Sequence, residues 1–112
     1  MHKRALDLSN EINDQHGYRQ YLNNKGLIYE ARANFEKAME IYAECLTVSK
    51  KMNEKRSICV SYCNIGCILE YQGSLDQALK YFKRALKLSK EINYKAGIGG
   101  YSNNIAQVYI KQ

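Results

Sequence analysis

The 112-residue sequence contains no proline and no run of 18 apolar residues. The absence of proline favours long uninterrupted helices, because proline removes a backbone donor and breaks a helix interior. Without a long apolar run, and without an apolar core and small-residue cleavage site in residues 1–20, we expect neither a membrane span nor a signal peptide. No linker rich in proline, glycine or serine divides the chain, so we expect one domain or a piece of one.

The sequence also lacks the residue patterns of a catalytic or cofactor-binding site. His2 and His16 have no Cys, Asp or Glu companion at a metal-ligand spacing. The glycines at 97–100 follow a predicted helix rather than a strand, so they do not make a nucleotide-binding loop. No nucleophile–base pair is visible. We therefore expect no enzymatic activity and no cofactor.

The four cysteines all fall within predicted helices, at Cys45, Cys59, Cys63 and Cys67. Small secreted disulfide scaffolds place their cysteines in loops, so we interpret these as reduced thiols in a reducing, cytoplasmic compartment. The last three follow one another at steps of four and share one helical stripe. That stripe spreads the sulfur atoms over about 12 Å, too far for one zinc site. We expect no bound metal and a packing role for these side chains.

The rest of the chain is organised around a predicted helical hairpin at residues 61–92. Its first helix has apolar residues at steps of three and four, namely Tyr62, Ile65, Gly66 and Leu69. Gly73 suits the left-handed position that ends a helix, and Ser74 with Gln77 forms a capping-box pattern for the next one. The second helix has an apolar side formed by Leu75, Ala78, Leu79, Phe82, Ala85, Leu86 and Ile92.

A shift of 40 residues brings similar residues into register along the whole chain. The matching sets include Leu6, Leu46 and Leu86; Ser9, Ser49 and Ser89; Asn13, Asn53 and Asn93; Asn24, Asn64 and Asn104; and Ile28, Ile68 and Val108. A fixed period of this size indicates stacked helical repeats, each of which buries its apolar face against its neighbours.

These positions resemble the tetratricopeptide repeat family. The resemblance is carried by Gly66, Leu69, Ala78, Phe82 and Ala85, with Tyr29, Ala38 and Tyr42 at the matching places one repeat earlier. The period of 40 resembles the longer variety found in kinesin light chains, spindle-orientation G-protein regulators and bacterial peptide-responsive regulators. The first repeat departs from the pattern, because Lys25 replaces an apolar residue and Ala33 replaces the turn glycine. The resemblance implies a right-handed α-solenoid of antiparallel helix hairpins that binds other proteins.

The pattern predicts an all-α solenoid of about six helices over residues 1–112. It comprises an orphan outer helix at 1–13 that ends at Asn13, a repeat at 15–52, a repeat at 55–92 and an orphan inner helix at 95–111. We expect Asn34 to cap the second helix of the first repeat, and Asn53 and Asn93 to end the two repeats as Asn13 ends the orphan helix. Apolar residues at both ends then lack a covering helix; they are Ala5, Leu6 and Leu8 at one end and Ile105, Val108 and Tyr109 at the other. We expect a segment of a longer array, or a chain whose ends stack on another chain.

The inner helices of such a solenoid line a concave groove, and the groove positions are our candidate site. The predicted partner-binding residues are Gln20, Asn23, Asn24, Leu27, Cys63, Asn64, Cys67, Glu70, Tyr71, Asn103, Asn104 and Gln107. An asparagine carboxamide offers two donors and an acceptor to an extended peptide main chain. The resemblance implies that use for the row Asn24, Asn64 and Asn104. The alternative is that these asparagines bond neighbouring helices and set the repeat geometry.

Two other ligand classes have less support. Tetratricopeptide repeats that bind acidic chaperone tails use basic residues on their inner helices, whereas the basic groove position here is Lys111 alone, so we expect no such ligand. A basic outer face is formed by Lys80, Lys83, Arg84, Lys87 and Lys90. Such a face attracts acidic tails, nucleic acid or anionic lipid, but it is more often simply solvated. Because no aromatic residues interleave it for base stacking, we expect no nucleic-acid partner.

The sequence therefore predicts a non-catalytic protein-interaction module that holds an extended peptide or partner segment in its groove. Two alternatives stay open. One is a structural segment packed permanently into a large assembly through its uncovered ends. The other is a ligand-sensing regulatory domain of a larger protein.

Overall fold

A computed structural model describes the backbone of residues 4–112 and the side chains of residues 15–112. This part of the chain forms five α-helices and no strand. They are α1 (Arg4–Ala31), α2 (Phe35–Lys51), α3 (Lys55–Tyr71), α4 (Leu75–Glu91) and α5 (Lys95–Lys111). Within the described residues, no helix combines the length and the apolar character needed to cross a membrane. The predicted all-α class is confirmed.

Each helix packs against the next one in the chain, and α3 also contacts α5. Helices α1, α3 and α5 therefore form an inner layer, and α2 and α4 form an outer layer. The result is a right-handed solenoid of antiparallel hairpins that measures 58 × 32 × 17 Å. The predicted architecture is confirmed, and it leaves one side of the inner layer free of outer helices.

The turns between the helices follow the 40-residue register. Asn53 and Asn93 have φ angles of 54° and 57°, and Gly73 has a φ of 83°. These values confirm the helix-ending roles predicted for the three residues. Ala33 takes the place of Gly73 one repeat earlier and adopts a φ of 60°, a left-handed conformation that costs a residue with a Cβ about 1–2 kcal/mol.

The two predicted helix caps differ in outcome. The Asn34 side chain accepts a hydrogen bond from the Lys37 backbone N–H at 3.4 Å, as an N-cap does. The capping box predicted at Ser74 and Gln77 is wrong, because the Ser74 side chain makes no capping hydrogen bond. Ser74 and Asn34 have similar backbone angles, with ψ values of 67° and 74°, so the difference lies in the side chains. The asparagine carboxamide is longer than the serine hydroxymethyl group and reaches the N–H three residues further on.

The predicted helix break at Asn13 is also absent. One continuous helix of 28 residues replaces the separate helices predicted at 1–13 and from residue 15. The equivalent Asn53 and Asn93 lie between two helices that pack on each other, and this packing compensates for the backbone hydrogen bonds lost at the turn. Asparagine alone is only mildly unfavourable inside a helix, so the hydrogen-bonded helix continues through Asn13.

Glycines at the helix crossings set the distance between the two layers. A Cβ on Gly66 would lie 2.7 Å from the Phe82 ring, and a Cβ on Gly26 would collide with the Tyr42 ring. Both aromatic side chains are fully buried. The inner helices thus press their backbone onto the aromatic rings of the outer helices, and their opposite side forms the groove.

Candidate partner-binding groove

The groove is the side of α1, α3 and α5 that faces away from the outer helices. Six of the predicted site residues are exposed there: Gln20, Asn24, Leu27, Tyr71, Asn103 and Gln107. The other six are half-buried: Asn23, Cys63, Asn64, Cys67, Glu70 and Asn104. The groove therefore offers amide, thiol and apolar groups to a ligand.

Two hydrogen bonds of matching geometry join the inner helices across the groove. Asn64 Nδ2 on α3 donates to Asn23 Oδ1 on α1 at 3.1 Å, and Asn104 Nδ2 on α5 donates to Cys63 Sγ on α3 at 3.3 Å. Both bonds span 41 residues, so they repeat one interaction. Asn64 and Asn104 thus bond neighbouring helices, and each keeps a second N–H and a carbonyl oxygen for another partner.

A third link with the same spacing is ionic. Lys111 Nζ lies 2.6 Å from Glu70 Oε2. The Glu70 side chain is 9% exposed, whereas that of Lys111 is 53% exposed. Lys111, the basic groove residue identified from the sequence, is therefore already paired with a carboxylate of this chain.

A pocket of about 400 Å³ opens between α1 and α3 at the end of the groove near residue 19. Its lining residues are Arg19, Gln20, Asn23, Asn24, Arg56, Ser57, Val60 and Ser61. Gln20, Asn23 and Asn24 were predicted as site residues, whereas the two arginines and two serines were missed. The prediction that Lys111 is the only basic residue of the groove is therefore wrong. The arginine at 19 was detectable, because it precedes Gln20 and lies one helical turn before Asn23.

Both arginines of this pocket have defined surroundings. Arg19 Nη2 lies 3.3 Å from His16 Nδ1, and its buried Nε has no hydrogen-bond partner among the described side chains. The Arg56 guanidinium carbon lies 4.5 Å from the centre of the Tyr94 ring. Because a stacked ring contacts the face of a guanidinium, the N–H groups on its edge are left for other acceptors.

The opposite end of the groove is apolar. A second pocket of about 390 Å³ is lined by Leu27, Glu30, Ala31, Phe35 and Tyr71. The rings of Phe35 and Tyr71 stack with their centres 5.4 Å apart. Glu30 Oε1 accepts a hydrogen bond of 2.8 Å from the Tyr42 hydroxyl, and burial together with this bond raises the pKa of Tyr42.

The four cysteines are free thiols in different surroundings. Cys59 is fully buried, and this burial raises its pKa to about 11. Cys63 and Cys67 lie in the groove wall, where a hydrogen bond from the Cys67 thiol, helped by the Asn104 amide, lowers the pKa of Cys63. The same bond raises the pKa of Cys67. In the part of the chain that the structure describes, no three His, Cys, Asp or Glu side chains are grouped as a metal site would require.

The basic outer face lies on α4, away from the groove, and all five of its side chains are exposed. Two of them contact aromatic rings: Lys83 Nζ lies 5.9 Å from the Tyr109 ring centre, and the Arg84 guanidinium lies 5.3 Å from the Tyr81 ring centre. The prediction that no aromatic residue accompanies this face is therefore wrong. These contacts engage the charges with rings of the same chain.

The two ends of the solenoid carry exposed apolar side chains. On α1 they are Tyr18, Tyr21 and Ile28, and on α5 they are Tyr109 and Ile110. The prediction that Val108 is uncovered is wrong, because Val108 is fully buried in the core with Ile68 and Leu69. Ile105 is half-buried. The side chains of Ala5, Leu6 and Leu8 lie outside the described part of the chain.

Comparisons with known proteins agree with this architecture. Sequence models of the tetratricopeptide repeat match residues 20–52 and residues 60–91. Among solved structures, the TPR domain of Arabidopsis FLU superposes with a TM-score of 0.80 at 20% identity, covering 86% of this chain and 81% of that chain. At this identity the likeness concerns the fold alone. A search of curated proteins found no match.

Proposed function

Since the chain belongs to the tetratricopeptide repeat family, we propose that its groove holds an extended segment of a partner protein. The family consists generally of non-catalytic repeats for protein–protein interaction, and the chain is such an interaction module. The free thiols favour a cytoplasmic location. The proposal adds the binding surface, which is the groove, and the form of the ligand, which is an extended segment.

The observation that carries the proposal is a row of three side-chain amides at equivalent positions of the inner helices α1, α3 and α5. Packed helix axes lie about 8–10 Å apart, and an extended chain advances about 3.3 Å per residue. Asn24, Asn64 and Asn104 would therefore meet the main chain of an extended segment at about every third residue. Such contacts are largely independent of the ligand's side chains.

The inter-helix bonds support this role rather than compete with it. The bond from Asn64 to Asn23 fixes the orientation of the Asn64 amide before a ligand arrives. A group that is already oriented loses less conformational entropy on binding. One N–H is consumed, and the remaining N–H and oxygen are the groups available to the peptide.

The test starts from a phage-displayed library of random twelve-residue peptides selected on the protein. We expect enriched peptides to lose about 1–3 kcal/mol of binding free energy when Asn24, Asn64 and Asn104 are all changed to Ala, as for other unpaired polar groups. The Gln72→Ala, Gln77→Ala variant removes two exposed amides outside the groove and should bind normally. Undiminished binding by the folded triple variant would refute the role of the row.

A second candidate function rests on the exposed apolar side chains of α1 and α5. In the 40-residue register, Tyr18 and Ile28 correspond to Ile58 and Ile68, which are buried. We propose as the alternative that these faces stack on helices of a neighbouring protein in a permanent assembly. Sedimentation measurements distinguish the alternatives, because stacking adds the mass of a whole protein chain to the particle, whereas a short peptide in the groove adds only a small fraction of the 12.9 kDa chain mass.

A further inference from the structure

We propose that Cys63, in the groove wall on the middle inner helix, is a modification site at which a disulfide of the glutathione type forms a mixed disulfide. The added group then lies in the groove beside Asn64 and Asn104, because Asn64 is the next residue and the Asn104 amide contacts the Cys63 sulfur. The modification itself is independent of the proposed function, whereas its effect on a bound segment rests on that function. The inference is carried by the accessibility of the thiol, the donors on its sulfur and the helix geometry around it.

Accessibility separates the groove thiols from the core thiols. Cys59 is fully buried and Cys45 is 4% exposed, so a bulky disulfide cannot reach either sulfur in the folded protein. Cys63 and Cys67 are half-buried and lie in the groove wall. Because the reactivity of a thiol depends on its exposure as well as on its ionisation, the groove pair is the part of α3 open to modification.

Two donors converge on the sulfur of Cys63. The side-chain amide of Asn104 on α5 donates a hydrogen bond to Cys63 Sγ at 3.3 Å, and the thiol of Cys67, one turn later on α3, donates another. Hydrogen bonds to sulfur favour its charged form, and the thiolate is the form that attacks a disulfide. Cys67 is the donor of the pair and keeps its proton, so Cys63 is the nucleophile.

The charged groups around the pair oppose this ionisation but do not cancel it. The hydrogen bond from Cys67 is the largest influence on the pKa of Cys63 and lowers it. Burial and the carboxylates of Glu30 and Glu70 act in the opposite direction, yet the pKa still lies below the ordinary thiol value. Glu70 is also paired with Lys111 Nζ at 2.6 Å, and this positive charge offsets the negative potential of the carboxylate at the sulfur.

The helix geometry favours a mixed disulfide over an internal one. The Cβ atoms of residues four apart on a helix are about 5–6 Å from each other, whereas a disulfide requires about 3.5–4.5 Å between them. Cys63 and Cys67 both lie within the continuous helix α3. Cys67 therefore cannot displace a group attached to Cys63 while α3 stays helical, and the mixed disulfide is the end product.

The reaction is an exchange between a thiol and a disulfide. The Cys63 thiolate attacks one sulfur of glutathione disulfide, the bond between the two glutathione sulfurs breaks, and the departing glutathione thiolate takes up the proton that Cys63 released. Cys63 is oxidised, one half of the disulfide is reduced, and excess thiol reverses the step. Glutathione is a tripeptide, so its main chain can bond to the free amide groups of Asn64 and Asn104. It thereby competes with a partner segment for the centre of the row.

Mass spectrometry locates the modification without a known partner. The reduced protein is incubated with glutathione disulfide at neutral pH, quenched with acid and digested for peptide mapping. We expect one glutathionyl group, on Cys63, and none on the other three cysteines, whereas the urea-unfolded protein should be modified at all four. An unmodified folded protein, equal modification of Cys63 and Cys67, or an internal disulfide between these two residues would overturn the assignment.

Two variants test the donors on the sulfur. Cys67→Ala and Asn104→Ala each remove one hydrogen bond and should slow the modification of Cys63 several-fold, Cys67→Ala more strongly. Ser102→Ala changes an exposed polar side chain near Asn104 on the same helix and should leave the rate unchanged. Circular dichroism melting checks that all variants fold. Equal rates in the folded variants and the wild type would contradict activation by these donors.

The phage-selected peptides test the effect on the groove. Binding to the glutathionylated protein should be at least about tenfold weaker, a difference of about 1.4 kcal/mol, and should return after reduction with dithiothreitol. Treated and untreated samples of the Cys63→Ser variant should bind equally. Undiminished binding by the modified protein would show that the added group leaves the groove open and would overturn the competition. If no peptide is enriched, the proposed function fails, and the peptide map alone decides the modification site.

Discussion

The side-chain amide of Asn64 on α3 donates a hydrogen bond of 3.1 Å to Oδ1 of Asn23 on α1. One repeat later Asn104 makes the same bond to the sulfur of Cys63. Sulfur is a weak acceptor, so the bond between α1 and α3 is the stronger of the two. The repeat thus preserves the donor while the acceptor changes. The asparagine row contributes to the geometry of the array as well as to the groove surface.

A double-mutant cycle measures the structural part of this contribution. We expect Asn23→Ala and Asn64→Ala to show a coupling of about 0.5–1.5 kcal/mol in the free energy of unfolding, the usual net contribution of a neutral hydrogen bond. Urea unfolding of the two single variants and the double variant gives this number. Asn24→Ala, at an exposed position, should change stability by less than about 0.5 kcal/mol. A coupling of zero would show that the bond does not stabilise the fold.

Some glycines lie at helix crossings, where an added Cβ would meet a neighbouring side chain, and others lie where an added Cβ would have open space. Gly66→Ala should destabilise the protein by about 1–3 kcal/mol, because the new methyl group would collide with the fully buried Phe82 ring. Gly99 has nothing within 4 Å of its Cβ position, so Gly99→Ala should stabilise α5 by about 0.5–1 kcal/mol. Thermal and urea unfolding of both variants gives the two signs. Equal effects would mean that the crossing at Gly66 tolerates a wider separation of the helices.

Much of the fold was predictable, because the repeat supplied the same information more than once. The register of 40 identified Asn53 and Asn93 as matching turn residues, and both adopt the left-handed conformation. The same register placed Phe82 and Tyr42 at equivalent positions, and both are buried against glycines. Local signals repeated in several copies are reliable, since each copy must satisfy the same packing.

The errors occurred where local signals had no repeated packing to support them. Asn13 matches Asn53 in sequence, yet α1 continues through it, because a turn requires packing of both flanking helices. Val108 was expected to be uncovered, but its side chain is buried in the core with Ile68 and Leu69 of the preceding inner helix. The pocket at Arg56 was missed because its two walls come from residues almost 40 positions apart, and their proximity depends on how α1 and α3 pack.

The thiols of α3 should differ in their reactivity towards an alkylating reagent. The Cys67 thiol and the Asn104 amide donate to Cys63, which lowers its pKa below the ordinary value, whereas burial raises that of Cys59 to about 11. Because the thiolate is the nucleophile, iodoacetamide should alkylate Cys63 at a lower pH than Cys59. Mass spectrometry of the alkylated peptides across a pH series measures both profiles.

Two variants assign the cause of the Cys63 shift. Cys67→Ala removes the larger contribution, so the alkylation profile of Cys63 should move towards higher pH. Asn104→Ala should move it in the same direction by a smaller amount. An unchanged profile in both variants would show that neither hydrogen bond stabilises the thiolate.

The exposed apolar faces predict how copies of the chain associate. The face of α1 with Ile28 differs from the face of α5 with Tyr109, so stacking one on the other is heterologous and can continue along a fibre. Sedimentation should show a mass that rises with concentration. Ile28→Lys and Tyr109→Lys should each give a 12.9 kDa monomer, whereas an equal mixture should form dimers, because each variant keeps the face that the other has lost. A wild-type chain that stays monomeric at high concentration would show that these faces do not bind each other.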